Sequence, residues 1–211
     1  MKVDTPVDFY LASKSPRRSA LLKEWGYSFK TIPAVPGIPE VNESPRLNEV
    51  PERYVNRVTT LKASQGWLLA TKCLGWEERP ILSADTIVVF KRKLLGKPKS
   101  PEEAKEILQM LSGNTHEVYT SVCGVMDRRG FFWHRLSVSS VTFKVLRKKE
   151  IEAYVNTGEP MDKAGAYGIQ GLAGSFVTNI NGSYTGIMGL PMFDTVQLLR
   201  KMDIPLRFTQ S

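Results

Sequence analysis

Hydrophobic and polar positions along the chain follow two periods, and their succession predicts strands interleaved with helices. Apolar or alternating runs predict strands over residues 9–13, 27–34, 81–90, 116–126 and 131–146. Helical spacing, N-cap residues and closing glycines predict helices over residues 15–26, 52–70, 100–113 and 149–156, with a last helix after Pro191. Interleaved strands and helices indicate an α/β protein with a mixed β-sheet.

Two turns are prominent in this pattern. Residues 127–130 predict the turn that joins the two long strands. The Asn-Gly pair at residues 181–182 predicts a β-hairpin between strands over residues 176–180 and 184–188. The chain has neither an internal repeat nor a low-complexity segment, and its length suits one large domain or two small lobes.

The composition excludes several classes of protein. The chain has 211 residues, of which 42% are hydrophobic, so it can bury a core and is too apolar for wholesale disorder. No uncharged apolar run approaches the ~20 residues of a membrane span, and residues 1–8 lack the apolar stretch of a secretory signal. Cys73 and Cys123 are too far apart in the sequence for a disulfide framework or a metal motif. We therefore expect a cytoplasmic protein without a membrane partner.

The net charge points to the kind of partner. With 29 Lys and Arg against 21 Asp and Glu, the chain carries +8, which indicates an anionic partner. Nucleic acid, a membrane surface and a phosphorylated small molecule all remain open at this point. The only two histidines, His116 and His134, exclude a His-rich metal site. Neither cysteine has a histidine near it in the sequence, which argues against a cysteine nucleophile.

Two helix starts share one frame but carry opposite charges. Residues 100–103 read Ser-Pro-Glu-Glu, and acids in the first turn are favoured by the exposed N–H groups and the helix dipole. Residues 15–18 read Ser-Pro-Arg-Arg, and cations there are disfavoured by up to ~1 kcal/mol. An anion would remove the conflict, because backbone N–H groups, two serine hydroxyls and the guanidinium groups of Arg17 and Arg18 would converge on it. Two solvent-facing arginines are the structural alternative.

Asp85 interrupts the apolar strand that is predicted over residues 81–90. A buried carboxylate is costly unless it is paired, binds a metal or faces a cleft. Asp85 is therefore either a general base or divalent-metal ligand, or a buried residue held by backbone donors. Lys62 and Lys97 are weaker signals, since a lone lysine either reaches a site or is simply solvated.

Residues 162–174 are glycine-rich and predict an irregular loop. Their glycines either allow the backbone to approach a ligand closely or form a structural turn. Because no Lys-Ser or Lys-Thr pair follows them, this is not a Walker-type phosphate loop. Within the segment, the amide of Gln170 carries both a donor and an acceptor and is suited to the edge of a nucleotide base.

Taken together and in this order, several segments resemble the Maf family of nucleotide pyrophosphatases. They are LASKSPRR at residues 11–18, SADTIVV at 83–89, GKP at 96–98, DKAGAYGIQG at 162–171, INGSY at 180–184 and GLP at 189–191. The resemblance extends from Leu11 to about Leu199, which is nearly the whole chain. One segment alone would be weak, whereas the ordered set is specific.

The resemblance implies a fold and an activity. The fold would be an elongated, two-lobed α/β structure with a mixed sheet flanked by helices, similar to inosine triphosphate pyrophosphatases. Residues 1–211 would form one domain of two lobes, with the active site in the cleft between them. The activity would be hydrolysis of a nucleoside triphosphate to the monophosphate and pyrophosphate, with Mg²⁺ or Mn²⁺ as cofactor. The motifs resemble the branch that acts on dTTP and UTP rather than the branch that prefers 7-methyl-GTP, and the family commonly forms homodimers.

Carried over position by position, the resemblance also implies roles for single residues. The phosphate-binding loop would be formed by Ser13, Ser15, Arg17 and Arg18. The phosphate-contacting lysines would be Lys62 and Lys97. The general base and metal-site carboxylate would be Asp85. The positions associated with specificity would be Arg17, Thr86 and Gln170.

Two positions depart from the family pattern. Lys14 stands where a small residue is usual, and it adds a cation beside the phosphate-binding loop. Pro39 stands where the family often has an acid. The resemblance then implies that Glu40 is the second metal ligand, together with Asp85. The surrounding residues 35–51 are proline-rich and predict a loop that is longer than expected for the family.

A second hypothesis comes from another class, a nucleic-acid-binding or cell-division regulatory protein without catalysis. It would need a basic stripe with interleaved aromatic residues or a recognition helix. The Lys and Arg residues are instead scattered over unrelated elements. We therefore expect a nucleoside triphosphate as partner and no nucleic acid, with modified pyrimidine nucleotides as alternative substrates.

Overall fold

A computed structural model describes residues 7–126 and 131–206. In these residues the strands are β1 Phe9–Leu11, β2 Phe29–Thr31, β3 Ile81–Phe90, β4 Lys93–Leu95, β5 Thr115–Val125, β6 Phe132–Phe143 and β7 Val177–Asn181. The α-helices are α1 Pro16–Glu24, α2 Pro51–Leu68, α3 Pro101–Leu111, α4 Lys148–Asn156, α5 Tyr184–Met188 and α6 Met192–Lys201. A π-helical turn extends α2, and short 3₁₀ helices follow α4. None of the helices in this part of the chain is long and apolar enough to cross a membrane.

The strands form one mixed sheet. Neighbouring strands follow the order β2-β1-β3-β5-β6-β7, and β4 pairs with the end of β3. β1 pairs in parallel with β2 and with β3, whereas the pairs β3–β5, β5–β6 and β6–β7 are antiparallel. Parallel neighbours need crossover connections, and α1 and α2 provide them. The predicted α/β class, with a mixed sheet flanked by helices, is confirmed.

β3 crosses the middle of the molecule and contributes to four hydrophobic clusters of the described residues, two of which mark its two halves. Its first half packs with α1 and α6 around Leu82 and Leu22. Its second half packs with α3 and α4 around Val88 and Leu108. The two halves of the molecule therefore meet near residues 85–86, where polar side chains interrupt the apolar strand.

Most of the predicted elements are found close to their expected places. The helices predicted from Ser15 and Ser100 begin directly after these N-cap residues. The strands predicted over residues 9–13 and 27–34 are shorter, with three residues each. The turn predicted at residues 127–130 lies outside the described residues.

The hairpin predicted around the Asn-Gly pair is wrong. Its first strand is β7, which pairs with β6, but the residues expected in the second strand form α5. The physical reason is Ser183, whose hydroxyl accepts the Gly186 N–H at 3.0 Å and caps a new helix. Gly182 has a φ of 126°, so the chain leaves β7 and turns into α5.

α2 lies very close to the sheet at Gly66. A Cβ atom at this position would lie 2.7 Å from the Cβ of Ala12 and 3.2 Å from side-chain carbons of Ile32 and Ile81. The absence of a side chain here therefore sets the distance between α2, which carries Lys62, and β3, which carries Asp85.

Substituting alanine for Gly66 should destabilise the protein by about 1–3 kcal/mol, because the new methyl group must push α2 away from Ala12. Helix propensity acts in the opposite direction and favours alanine by up to ~1 kcal/mol, so the steric effect has to exceed it. Urea unfolding followed by circular dichroism measures the change. The matched control is Ser64→Ala, at an exposed position of the same helix. A Gly66→Ala protein as stable as the wild type would contradict this role for the glycine.

Candidate active site

A cleft of about 700 Å³ opens where the two halves of the molecule meet. Its walls come from the start of α1, the loop before α2, one face of α2, the middle of β3, and the segments around residues 97 and 170. All of the site residues selected from the sequence line this cleft: Ser13, Ser15, Arg17, Arg18, Glu40, Lys62, Asp85, Thr86, Lys97 and Gln170. The fold thus brings together side chains from six separate stretches of the chain.

Arg18 holds the base of the cleft together. It is only 8% exposed, and its guanidinium group donates to the Gly189 carbonyl at 2.7 Å, to Ser13 Oγ at 3.0 Å and to Thr86 Oγ1 at 3.0 Å. Burial lowers the pKa of Arg18, while the nearby Asp85 carboxylate opposes this shift. With three of its five N–H groups bonded, Arg18 positions Ser13 and Thr86 at the base of the cleft.

The start of α1 differs from the start of α3, as the charge pattern predicts. Ser15 is the N-cap of α1, yet its side chain makes no capping hydrogen bond, whereas Ser100 caps α3. Arg17, in the first turn of α1, lies 3.4 Å from the Asp162 carboxylate. The N-terminal end of α1 therefore presents backbone N–H groups, a hydroxyl group and a cation to the cleft. Together these are the donors of an anion-binding site.

Three charged side chains meet beside the middle of β3. Lys62 Nζ lies 2.6 Å from Asp85 and 2.9 Å from Glu43. Because Asp85 is buried, the neighbouring cation compensates for the removal of its charge from water. The Tyr54 hydroxyl donates to the Glu43 carbonyl oxygen at 2.7 Å and so fixes the backbone that carries this acid. Burial, together with the Asp85 and Glu43 carboxylates, raises the pKa of Tyr54 to about 12.

Glu40, the second metal ligand inferred from the sequence, lies at the mouth of the cleft. Its side chain is 72% exposed and forms an ion pair with Lys14. Glu43, which sequence analysis missed, is the acid that shares Lys62 with Asp85. Both acids stand in a loop without a periodic pattern, so no local signal distinguishes them. The folded loop shows which of the two approaches the centre of the cleft.

The glycine-rich segment packs against β3 and forms one wall of the cleft. Gly165 has a φ of 71°, and a Cβ atom there would lie 2.8 Å from the side chain of Val88. Its N–H donates to the Gly96 carbonyl at 3.0 Å, which joins this segment to the loop that carries Lys97. Gly165 therefore allows the segment to pack closely on the sheet, which is the structural role considered for these glycines. Gln170, in the same segment, lies on the cleft wall.

A buried histidine and tyrosine support the same wall. His116, in β5, is 1% exposed, and its Nε2 lies 2.8 Å from the Tyr167 hydroxyl. Burial lowers the pKa of His116 to about 4, so the imidazole is neutral at pH 7. Because Tyr167 itself lines the cleft, the pair fixes a residue of the wall.

Cys123 and His134 face each other across β5 and β6, which their separation in the sequence did not indicate. Cys123 Sγ lies 3.6 Å from His134 Nε2. Burial raises the pKa of the thiol to about 12 and lowers the pKa of the histidine. Since the thiolate is the reactive form of cysteine, this environment disfavours nucleophilic chemistry at Cys123.

His116 should make the stability of the protein depend on pH. Its pKa is about 4 in the folded protein against an ordinary 6.5, so the unfolded chain binds the proton more readily and stability falls as pH drops below 6.5. Between pH 6.5 and pH 5 this residue should account for a loss of about 1.5 kcal/mol. Urea unfolding of the wild type and of His116→Gln at both pH values measures the difference. Equal pH dependence of the two proteins would contradict a neutral, buried His116.

Comparison with known proteins finds one family model and several curated relatives that are similar in sequence to this chain. The family model described as "Maf-like protein" matches residues 8–202. A dTTP/UTP pyrophosphatase of Nitrosospira multiformis is 44% identical over 92% of this chain and 94% of its own length. A dTTP/UTP pyrophosphatase of Alkalilimnicola ehrlichii is 47% identical, with coverages of 92% and 93%. A nucleoside triphosphate pyrophosphatase of Haemophilus ducreyi is 45% identical, with coverages of 92% and 95%.

Among solved structures, the Ham1 protein of Staphylococcus aureus is similar over 64% of this chain and 71% of that chain, with 13% sequence identity and a TM-score of 0.42. The family match covers every segment on which the sequence resemblance rests. Relatives of 44–47% identity align along almost their full length. The chain belongs to the family of Maf-like proteins.

Proposed function

We propose that the protein hydrolyses dTTP and UTP to the monophosphate and pyrophosphate. The observation that carries this proposal is a single cleft in which the cationic start of α1 and further lysines face two carboxylates beside β3. The cations suit a triphosphate, and the carboxylates suit the metal ion and the water molecule that its hydrolysis needs. Relatives of 44–47% identity that are named dTTP/UTP pyrophosphatases support the same substrates.

The reaction requires a base for water and a site for the leaving group. Water attacks the α-phosphorus, the bond to the bridging oxygen breaks, pyrophosphate leaves, and a proton of the water passes to a base. Asp85 is that base in our proposal, because its carboxylate is held at the centre of the cleft by β3. Lys62 lies 2.6 Å away and orients this carboxylate before the substrate binds.

The carboxylate pair fits a divalent cation such as Mg²⁺ or Mn²⁺. Magnesium is usually held by one or two carboxylates together with substrate phosphates. Asp85 and Glu43 already meet around one positive charge, the Lys62 ammonium group, and we propose these two as ligands. Among residues 7–126 and 131–206, no group of three or more His, Cys, Asp or Glu side chains could hold a metal, so phosphate oxygens would complete the coordination. When bound, the ion would polarise the phosphate and acidify a water molecule.

The cations of the cleft serve the phosphate chain. Lys62 is paired with Asp85 and Glu43 in the protein alone, and with a divalent cation held by these two carboxylates its ammonium group would be available to the phosphates. Arg17, Lys97 and the N–H groups at the start of α1 lie on the same cleft and stabilise the charge that develops on the leaving pyrophosphate. Ser13 and Ser15 supply hydroxyl donors at the same end of the helix.

Thr86 faces the cleft with a defined hydrogen-bond polarity. Thr120 donates its only hydroxyl proton to the Gly186 carbonyl at 2.8 Å. In the 2.9 Å hydrogen bond between the two hydroxyl groups, Thr86 must then be the donor and Thr120 the acceptor. The Thr86 oxygen also accepts a hydrogen bond from Arg18. Toward a ligand, Thr86 is therefore left as an acceptor. This polarity suits the ring N–H of thymine and uracil, whereas the equivalent nitrogen of cytosine is itself an acceptor.

Gln170 and Arg17 complete the groups assigned to specificity. The Gln170 amide can donate to a base carbonyl and accept from a base N–H on the same edge. Arg17 lies 3.4 Å from Asp162, at the start of the glycine-rich segment that carries Gln170, and both Arg17 and Gln170 line the cleft. Modified pyrimidines that keep the ring N–H fit this set as well.

The arrangement does not favour the alternative function, nucleic-acid binding. The cations of the cleft alternate with acids, which would repel a polynucleotide backbone. Those acids are Glu40, Glu43, Asp85 and Asp162. A small substrate that brings its own divalent cation can use both signs of charge.

Replacing Asp85 by asparagine should lower kcat about 10²–10⁴-fold, because the amide cannot accept the proton of water. Binding of dTTP without a divalent cation should remain close to that of the wild type, since the substitution keeps the shape of the side chain. The Mg²⁺ requirement should rise, because a carboxylate ligand is lost. Pyrophosphate release with Mg²⁺ or Mn²⁺ measures turnover, and calorimetry measures binding. Asp203→Asn, at an exposed position outside the cleft, is the matched control.

A panel of the eight common ribo- and deoxyribonucleoside triphosphates tests the substrate assignment in the same assay. Release should be fastest with dTTP and UTP and slow with dCTP and CTP. Absence of release from every nucleotide, together with salt-sensitive binding of DNA or RNA, would favour the alternative function. Full activity of the Asp85→Asn protein would exclude Asp85 as the base.

Glu43 and Glu40 can be separated by their effect on the metal requirement. Glu43→Gln should raise the Mg²⁺ concentration for half-maximal rate by about tenfold or more, because one carboxylate ligand is lost. Glu40→Gln should leave this concentration unchanged, since its partner is Lys14 at the cleft mouth. Both are measured at saturating dTTP. The opposite ranking would return the ligand role to Glu40.

A further inference from the structure

An ion pair crosses the mouth of the cleft. Lys14 belongs to the loop before α1, and Glu40 belongs to the loop before α2. Both residues line the cleft, and their side chains are 62% and 72% exposed. Ion pairs as exposed as this contribute little to stability, so stability does not account for the placement of this pair.

Glu40 contacts one lysine of the cleft and feels the charge of two others. Its carboxylate is bonded to Lys14, and the positive charges of Lys62 and Lys97 act on it as well. These charges, with Lys14 first, hold the pKa of Glu40 below its usual range. The carboxylate therefore occupies the position beside Lys14 that an anionic group of a ligand in the same cleft would take.

The backbones on both sides of the pair are held in place by other contacts. Gln65, in α2, donates to the Pro39 carbonyl at 2.6 Å and so anchors the chain next to Glu40. On the other side, Ser13 accepts a hydrogen bond from Arg18 at 3.0 Å. Lys14 and Glu40 can therefore exchange partners by rotation of their side chains alone.

We propose that Lys14 is a further phosphate ligand of the substrate and that Glu40 holds it at the cleft mouth until the triphosphate displaces the carboxylate. This inference rests on the proposed function, because it assigns a role within the same cleft. A triphosphate carries several negative charges against the single charge of Glu40, so the exchange favours the substrate. Because the pair is exposed, breaking it costs little.

Two single variants distinguish this role from that of a purely structural ion pair. Lys14→Met should raise KM for dTTP about five- to tenfold with little change in kcat, through loss of a charged phosphate contact. Glu40→Gln should lower KM about two- to threefold, because the competing carboxylate is gone. A pair that only fastened the two loops would raise KM in both variants, and that result would overturn the proposal.

Lys23→Met is the matched control for the change in net charge. Lys23 is an exposed lysine in the last turn of α1, outside the cleft, and its loss should leave KM unchanged. In the Lys14→Met, Glu40→Gln double variant, KM should lie near that of Lys14→Met. Urea unfolding of each variant should show wild-type stability, as expected for an exposed pair.

Equilibrium binding separates this inference from the proposed activity. Calorimetry with inorganic tripolyphosphate should show weaker binding to Lys14→Met and tighter binding to Glu40→Gln, regardless of whether any nucleotide is hydrolysed. Unchanged tripolyphosphate affinity in both variants would overturn the role of Lys14. Absence of pyrophosphate release from the wild-type protein would instead count against the proposed function alone.

Discussion

The cleft depends above all on one buried cation at the start of α1. Arg18 donates to the loop at Ser13, to β3 at Thr86 and to the turn at Gly189. Because a buried guanidinium group is costly without bonded N–H groups, these acceptors are as necessary for the local fold as for the site. The contacts that shape the phosphate end of the cleft thus also fix the hydrogen-bond polarity of Thr86.

Around this cation the cleft mixes charges of both signs. Four of the cations that line it are paired with acids in the protein alone: Lys62 with Asp85 and Glu43, Arg17 and Lys163 with Asp162, and Lys14 with Glu40. Such pairing orients the cations without a substrate, so little reorganisation is needed when phosphates replace the acids. The net charge of +8 is a poor guide by itself, because only a few of the 29 Lys and Arg residues take part.

The mixed α/β fold and most segments of the cleft could be predicted because their signals are local. The Ser-Pro pairs at residues 15–16 and 100–101 mark two helix starts, and Asp85 stands out because it interrupts an apolar strand. The features that could not be predicted have non-local causes. Glu43 approaches the cleft through an aperiodic loop, and Cys123 meets His134 only through the register of β5 and β6. At Ser183 two local signals compete, and the helix cap prevails over the hairpin turn.

The hydrogen bond between Arg18 and the Gly189 carbonyl joins positions that are 171 residues apart. Chains are made from the N-terminus, and folding during synthesis can use only the residues that have already emerged. The SPRR segment is therefore among the first parts of the site to leave the ribosome, while one of its essential acceptors is among the last. A nascent or prematurely terminated chain would carry the arginines without their final partner. The cleft is completed only after the residues around Gly189 have been translated, so N-terminal fragments that end before them should lack a working site.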